Sequence, residues 1–542
     1  MAISGTTDYQ AFNAADYLVD RHLREGNGDR VAVVCAGLSL TYAELADESW
    51  RIAAGLRALG VRPEERVMLC MADGVELLTG ILAAMRIGAV PVPVSTMVTG
   101  AELGTVLADC RARLLCVSTE FTAAAQVAVE SAPEVAHVVV DGDVDIVVRA
   151  PVTRWAELRS AGPDPSLYPT WADSPALWLY TSGTTGRPKG AMHRHASVRH
   201  VSECYGTGVL GVGSGDRCLS VAKLFFAYGL GNSCFFPLAV GATAVLERAR
   251  PTPAVIASCV AANRPTLFFA VPTFYSALLN SDIPDDTFAS VRQGVSAGEQ
   301  LPAILGSRFR ERFGVEILDG IGSTEALHIF LSNRPGRVRP SSSGTPVPGY
   351  RVEIRDDSGV VVDAAGQPGH LYLNGPSTAT GYWCRDEITR KVFQGEWLRT
   401  GDTYVRNEDG TYSCLGRSDD MLKAGGIWVS PAEVEERLLA HPDVAEVAVV
   451  AAPDEVGLDK PVACVVPAPG HAVDPDALTI WCRDGLAAFK RPRMVIPVDE
   501  LPKTATGKVR RNVLREQVKD ALVLGGVAGE FGPASAGSVT PA

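Results

Sequence analysis

The sequence has no cysteine pair at C-x-x-C spacing; its twelve cysteines lie scattered from Cys35 to Cys482. That excludes the usual structural zinc knuckles and argues against a disulfide scaffold, leaving free thiols and a reducing, cytoplasmic setting as the expectation. No apolar run approaches the ~18 residues that a membrane-spanning helix needs. The opening residues Met1–Asp8 lack the basic and apolar blocks of a secretory signal. There is also no long Lys/Arg tract, and the net charge is −12, so a nucleic-acid partner is not expected. What remains is an ordinary globular composition, 46% hydrophobic and 21% charged, in a chain of 542 residues.

Short apolar strands alternate with helical segments through the first half. Arg66–Met71, the helix 74–87 and the strand 89–94 form one such unit, and 218–222, 229–240 and 242–246 form another. A third runs through 255–263 to 266–271. This grammar predicts an α/β fold with doubly wound parallel sheets in two layered subdomains. Near residue 350 the pattern becomes alternating, predicting antiparallel strands at 350–355 and 370–374. A smaller α+β unit is expected from about 417, with helices after Pro431 and over 475–488 and strands at 446–451 and 462–466. The predicted division is a large domain over 1–416, a small domain over 417–520, and a Gly/Ala/Ser/Pro-rich disordered tail over 521–542 that is too short for a carrier domain.

The strongest chemical signal is the loop Thr181-Ser182-Gly183-Thr184-Thr185-Gly186-Arg187-Pro188-Lys189-Gly190. Its glycines let backbone N–H groups face an anion, its hydroxyls add donors, and Lys189 adds charge. It is not a Walker A loop, because Pro188 stands where the second glycine is required. A second candidate is Gly320-Ile321-Gly322-Ser323-Thr324-Glu325, glycines at a strand end beside a carboxylate suited to Mg²⁺. Two weaker ones are Thr400-Gly401-Asp402 with Gly416-Arg417-Ser418-Asp419-Asp420, and Pro502–Lys508. The match of Gly206–Gly211 to G-x-G-x-x-G lacks a preceding strand and is set aside.

In this order and at these distances the motifs resemble the acyl-adenylate-forming superfamily of acyl- and aryl-CoA synthetases, luciferase and adenylation domains, from about Ala11 to Lys519. The resemblance implies that a carboxylic acid attacks ATP to give acyl-AMP and pyrophosphate, and that a thiol then displaces AMP. It implies that Thr181, Ser182, Gly183, Thr184, Thr185, Gly186 and Lys189 cover the phosphates. Gly298, Glu299, Asp319, Gly320 and Ile321 would complete the ATP site, with Asp402 and Arg417 on the ribose. Lys508, Thr324 and Glu325 would be catalytic, Glu325 holding Mg²⁺. Asp419 matches the hinge of a mobile small domain, and Gly425 and Gly426 match a loop lining the coenzyme A tunnel. Position 321 is often aromatic in the superfamily and is Ile321 here.

Aromatic and small residues in 223–232, 296–299 and 320–331 suit a flat apolar slot for a ring. These strings resemble bacterial benzoate–CoA ligases, which implies an aryl pocket of Phe226, Ala227, Tyr228, Ala297, Gly322, His328 and Ile329. Two positions depart from that pattern: Ala326 where Met is usual, and Trp428 where Tyr is usual. The smaller Ala326 leaves a hydroxy- or aminobenzoate open. Two alternatives stand beside this reading, an enzyme that loads aryl acids onto a carrier protein and a non-catalytic nucleotide sensor.

Overall fold

The structure, a computed structural model, describes residues 11–182, 188–417, 422–424, 427–453, 459–486, 490–503 and 509–523. A five-stranded parallel sheet runs in the order Val90–Pro93, Arg66–Cys70, Leu114–Ser118, His137–Asp141 and Val152–Arg154. The nine-stranded sheet has a parallel centre: Ile317–Gly322, Gln293–Ser296, Leu267–Ala270, Arg217–Ser220, Thr243–Leu246 and Val31–Cys35. Its edges are antiparallel, with Ile329–Ser332 and Thr345–Pro346 on one side and Leu38–Thr41 on the other.

The helices Tyr42–Ala58 and Val75–Arg86 share one hydrophobic core with both sheets. Ile52, Leu56, Leu78 and Leu82 cluster with Leu69 and Val139 of the smaller sheet and with Val33, Ala244 and Leu267 of the larger. Burial of each such Leu or Ile stabilises the fold by roughly 1.5–3 kcal/mol. Thr41 and Glu44 start the first helix with a reciprocal capping box. The second is buried over almost its whole circumference, which explains its near-continuous apolar sequence.

The expected antiparallel unit pairs Arg351–Arg355 with Gly369–Asn374, and the latter with Trp397–Arg406, which in turn pairs with Tyr412–Arg417. Beyond it, Val444–Pro453, Asp459–Pro467 and Met494–Pro497 form a three-stranded sheet with the helices Pro431–Leu439, Pro475–Arg483 and Arg511–Val523. The α/β prediction therefore holds in both halves. The segment before the Thr/Ser/Gly loop lies in neither parallel sheet. Pro175–Ser182 pairs with Pro188–Arg194 as a two-stranded antiparallel hairpin, because a loop this short cannot make the crossover that parallel pairing requires. The tail expected to be disordered over 521–542 needs correcting at its start: residues 521–523 continue the helix Arg511–Val523, and 524–542 lie outside the described residues. All twelve cysteines are free thiols, as expected.

Candidate active site

In an open α/β sheet, ligands gather beyond the carboxyl ends of the parallel strands. Here the segments following Arg217–Ser220, Leu267–Ala270, Gln293–Ser296 and Ile317–Gly322 all line one of two adjoining cavities. The first, of about 340 Å³, is walled by Gly298, Glu299, Asp319, Gly320, Ile321, Gly322, Ser323, Asp402 and Arg417. Residues of the C-terminal part close its far side, and Val509 N–H donates to Glu299 Oε1 at 3.0 Å.

Two glycines are forced by their neighbours. A Cβ on Gly320 would lie 2.8 Å from the Leu331 carbonyl oxygen, and one on Gly322 would lie 2.6 Å from that of His328. Close pairing with Ile329–Ser332 therefore leaves no room for side chains at this strand end. Asp319 is buried with Oδ1 unpartnered, and burial raises its pKa well above the usual carboxylate range. Opposite it, Asp402 and Arg417 are register partners on adjacent strands; Arg417 Nη1 donates to Asp402 Oδ1 at 3.0 Å and to the Thr400 carbonyl at 3.2 Å. Gly401 between them has φ 80°, and a Cβ there would meet the guanidinium at 2.9 Å.

The hairpin brings the phosphate-loop strand ends to the same region. Thr181 pairs with Lys189, and Lys189 Nζ sits 5.3 Å over the Tyr382 ring. Tyr382 hydroxyl donates to Glu325 Oε1 at 2.7 Å, so the lysine and the carboxylate are linked through one aromatic side chain. His193, on the returning strand, reaches the Thr324 carbonyl at 2.8 Å; burial lowers its pKa to about 4, so it is neutral and donates. Ser377 hydroxyl holds the Ala326 carbonyl at 2.6 Å and Ala379 N–H the Glu325 carbonyl at 2.8 Å. Leu327 closes this turn at φ 66°, a conformation rare for a branched side chain. Sequence reasoning missed Tyr382, His193 and Ser377. Only Gly381, at φ 146°, marks the neighbourhood of Tyr382.

The second cavity, about 740 Å³, is lined by all seven residues expected of the aryl pocket: Phe226, Ala227, Tyr228, Ala297, Gly322, His328 and Ile329. Thr324 lines it as well, and Thr273, Gly298, Gly322, Ser323 and Glu446 face both cavities. His328 is buried, with Tyr205, Tyr228 and Phe236 ring centroids 5.4, 5.5 and 4.6 Å away. Its Nε2 faces two acceptors, the Tyr228 carbonyl at 3.4 Å and Asn232 Oδ1 at 3.2 Å, while Asn232 Nδ2 donates to Ser220 Oγ. Nε2 therefore carries the hydrogen and Nδ1 is left unpartnered. Desolvation lowers the imidazole pKa to about 3, so His328 is a neutral wall. Ala326 does not widen this cavity: it is fully buried in the core. Its neighbour in sequence, Glu325, turns away to Tyr382.

Gly183, Thr184, Thr185, Gly186, Lys508, Asp419, Gly425 and Gly426 lie outside the described residues, as do the side chains of Ser182 and Trp428. Among the described residues no group of three or more His, Cys, Asp or Glu side chains forms a metal cage. A cation here would rely on one carboxylate plus phosphate and water oxygens, which is how Mg²⁺ is commonly held and which Glu325 fits. No described helix is long and apolar enough to cross a membrane.

The chain is similar to a benzoate–CoA ligase of Thauera aromatica, 44% identical over 93% of this chain and 96% of the relative. Among solved structures it resembles a benzoate CoA ligase from Burkholderia xenovorans LB400, 43% identical with a TM-score of 0.86 over 93% of this chain and all of that one. It also resembles an anthranilate CoA ligase in complex with anthranoyl-AMP, 39% identical with a TM-score of 0.90 over 95% of this chain and 98% of the other. The AMP-binding enzyme family matches residues 20–383 and the AMP-binding enzyme C-terminal domain matches 433–508. With those matches, and with a nucleotide-type cavity opening onto an aromatic one, the chain belongs to the family of AMP-binding, adenylate-forming enzymes.

Proposed function

We propose that the protein is an AMP-forming aryl acid–CoA ligase acting on benzoate or a substituted benzoate. The observation that carries this reading is the meeting of the two cavities at Gly298, Gly322 and Ser323. An aromatic ring in the larger cavity and an adenylate in the smaller would place the carboxylate and the α-phosphate at that junction. The carboxylate oxygen attacks the α-phosphorus, the bond to the bridging oxygen breaks, and pyrophosphate leaves. The acceptor sulfur then attacks the acyl carbon and AMP leaves.

The residues divide the work. Asp402 and Arg417 are suited to bind ribose hydroxyls, and Ile321 offers an apolar face to the base. Lys189 and the 181–186 segment neutralise the β- and γ-phosphates. Glu325, oriented by Tyr382, is the candidate ligand for Mg²⁺, which when bound offsets phosphate charge. Lys508 would bridge the carboxylate and α-phosphate; the Val509–Glu299 hydrogen bond at the cavity wall supports that placement. Neutral His328 and the rings around it hold the aryl group without competing for its carboxylate. A small domain from 417 that turns about Asp419, with Gly425 and Gly426 along the acceptor's path, completes the proposal.

The test is acid-dependent pyrophosphate release across benzoate, its hydroxy and amino derivatives, cinnamate and short fatty acids. It is followed by thioester formation with coenzyme A and with a panel of carrier proteins. Benzoate-type acids should lead, with coenzyme A as acceptor. Preference for aliphatic acids, or transfer to a carrier protein alone, would overturn the corresponding part.

A further inference from the structure

The segment that gives the larger cavity Phe226, Ala227 and Tyr228 is a tight turn beyond the strand Arg217–Ser220. Phe226 N–H donates to the Lys223 carbonyl at 3.0 Å, and a Cβ on Gly229 would lie 2.0 Å from that oxygen and 2.5 Å from the Ala222 carbonyl oxygen. The far end of the turn is tied down by Tyr228 hydroxyl, which donates to the Val295 carbonyl at 3.0 Å. Its near end is held by a residue of the other sheet. Asp73, just past the strand Arg66–Cys70 and 151 residues away in sequence, accepts from Leu224 N–H with both carboxylate oxygens, at 3.1 and 3.3 Å. The adjoining Lys223 ammonium donates to the Glu247 and Ala249 carbonyls and attracts the Asp73 carboxylate.

Asp73 is 5% exposed, and burial raises its pKa to about 6 against the pull of Lys223. A carboxylate so placed is a costly acceptor for one N–H, because an amide would satisfy the same donor without desolvating a charge. What the charge adds is its attraction for Lys223, which draws the side chain before the turn and the backbone within it toward one point. Asp73 itself lines neither cavity, so it acts through the turn and not on a substrate. We propose that Asp73 is a positioning residue of the aryl site, holding the Lys223–Leu224 turn so that Phe226 and Tyr228 present their rings to the acid, and thereby sets the preference for aryl over aliphatic acids.

This anchor couples the cavity to pH. Above about pH 6 the carboxylate is charged; protonation removes its attraction for Lys223 and weakens its bond to Leu224 N–H. The other charged groups around it are Glu76 on the helix that follows, Glu247 and Arg248 beyond the strand Thr243–Leu246, and Glu120 and Asp141, both paired with Arg248. The nearby Cys35 thiol, pushed up to about 11, stays neutral. Burial raises Glu76 as well, so a comparison of variants assigns the effect where the wild-type profile alone does not.

This inference rests on the aryl–CoA ligase reading, and the two fail separately: the acid that wild type prefers decides the reading, and the change in the variants decides the anchor. Pyrophosphate release is measured with benzoate, hexanoate and ATP each varied, in wild type, Asp73→Ala and Asp73→Asn, with circular dichroism to establish that each variant is folded. In Asp73→Ala, KM for benzoate should rise about tenfold and the benzoate-to-hexanoate ratio of kcat/KM should fall by a similar factor, while KM for ATP stays within about twofold. Asp73→Asn keeps an acceptor for Leu224 N–H and decides the matter if the alanine variant does not fold; its KM for benzoate should rise only about two- to threefold at pH 7.5. From pH 7.5 to about 5.5, KM for benzoate should rise about threefold in wild type and stay level in Asp73→Asn. Coincident pH profiles for wild type and Asp73→Asn, or a KM for ATP that rises as much as KM for benzoate, would overturn the proposal. So would a folded Asp73→Ala with the wild-type KM for benzoate.

Discussion

The nucleotide cavity is walled by glycine backbone and by charged groups drawn from distant segments, whereas the aromatic cavity is walled by rings and small residues at the carboxyl ends of one sheet. The contrast follows from what each must bind. A polyanion and a ribose need donors and acceptors at fixed points, so in the proposed function single residues such as Asp402 and Arg417 would carry much of the recognition and their loss should be felt strongly. An aromatic ring needs shape, so the second cavity spreads its contribution over many contacts and should respond to volume more than to charge.

Substitutions at the nucleotide side should therefore have the larger effects. Lys508→Ala is expected to lower acyl-AMP formation by about 10²–10³-fold while thioester formation from supplied acyl-AMP persists; equal loss of both half-reactions would remove the assigned role. Asp402→Ala deletes the proposed ribose acceptor and removes the Asp402 carboxylate from Arg417, so KM for ATP should rise roughly 10–100-fold with KM for the acid little changed. Tyr382→Phe keeps the ring beneath Lys189 but frees the Glu325 carboxylate. It should slow pyrophosphate release about tenfold and raise the Mg²⁺ concentration needed for half-maximal rate.

At the aromatic side the informative change is one of volume. A Cβ on Gly231 would fall 2.2 Å from His328 Cδ2, and the imidazole, boxed in by Tyr205, Tyr228 and Phe236, can yield only toward the cavity. Gly231→Ala should cost about 1–3 kcal/mol of stability. In a substrate panel it should lose ring-substituted acids before benzoate, with KM for ATP unaltered.

The smallest effect concerns pH. His193, His195 and His328 are buried neutral, with pKa values lowered to about 4, 3 and 3 chiefly by desolvation. The unfolded chain binds protons at these positions below about pH 6.5 while the folded one does not. Stability from each is thus fully present above that pH and is lost as pH falls toward 4, at up to about 1.4 kcal/mol per unit per histidine. Asp73, raised to about 6, and Asp319, raised well above the usual carboxylate range, are both shifted by burial and oppose this in part. Urea midpoints measured from pH 7 to 5 should fall, and fall less steeply in His195→Gln.

The two cavities also differ in how readily the sequence discloses them. The parallel strands, their alternating helices and the charged motifs could be read directly, because short apolar runs and spaced polar residues keep their meaning locally. Tyr382, 57 residues from Glu325, could not, because the contact exists only once the hairpin and the strand Ile317–Gly322 are brought together. The same limit explains Ala326. Its size suggests a roomier pocket, but the left-handed turn at Leu327 points it into the core and gives the wall to His328. The hairpin at 175–194 was hidden for a different reason, since an apolar run before a glycine loop reads equally as a parallel strand.

The claim that the two cavities form one continuous site is tested most directly by a molecule that spans them. A non-hydrolysable benzoyl-AMP analogue, titrated calorimetrically, should bind at least about 10²-fold more tightly than AMP or benzoate alone and more tightly than its hexanoyl counterpart. A benzoyl analogue that binds no better than AMP would contradict the account.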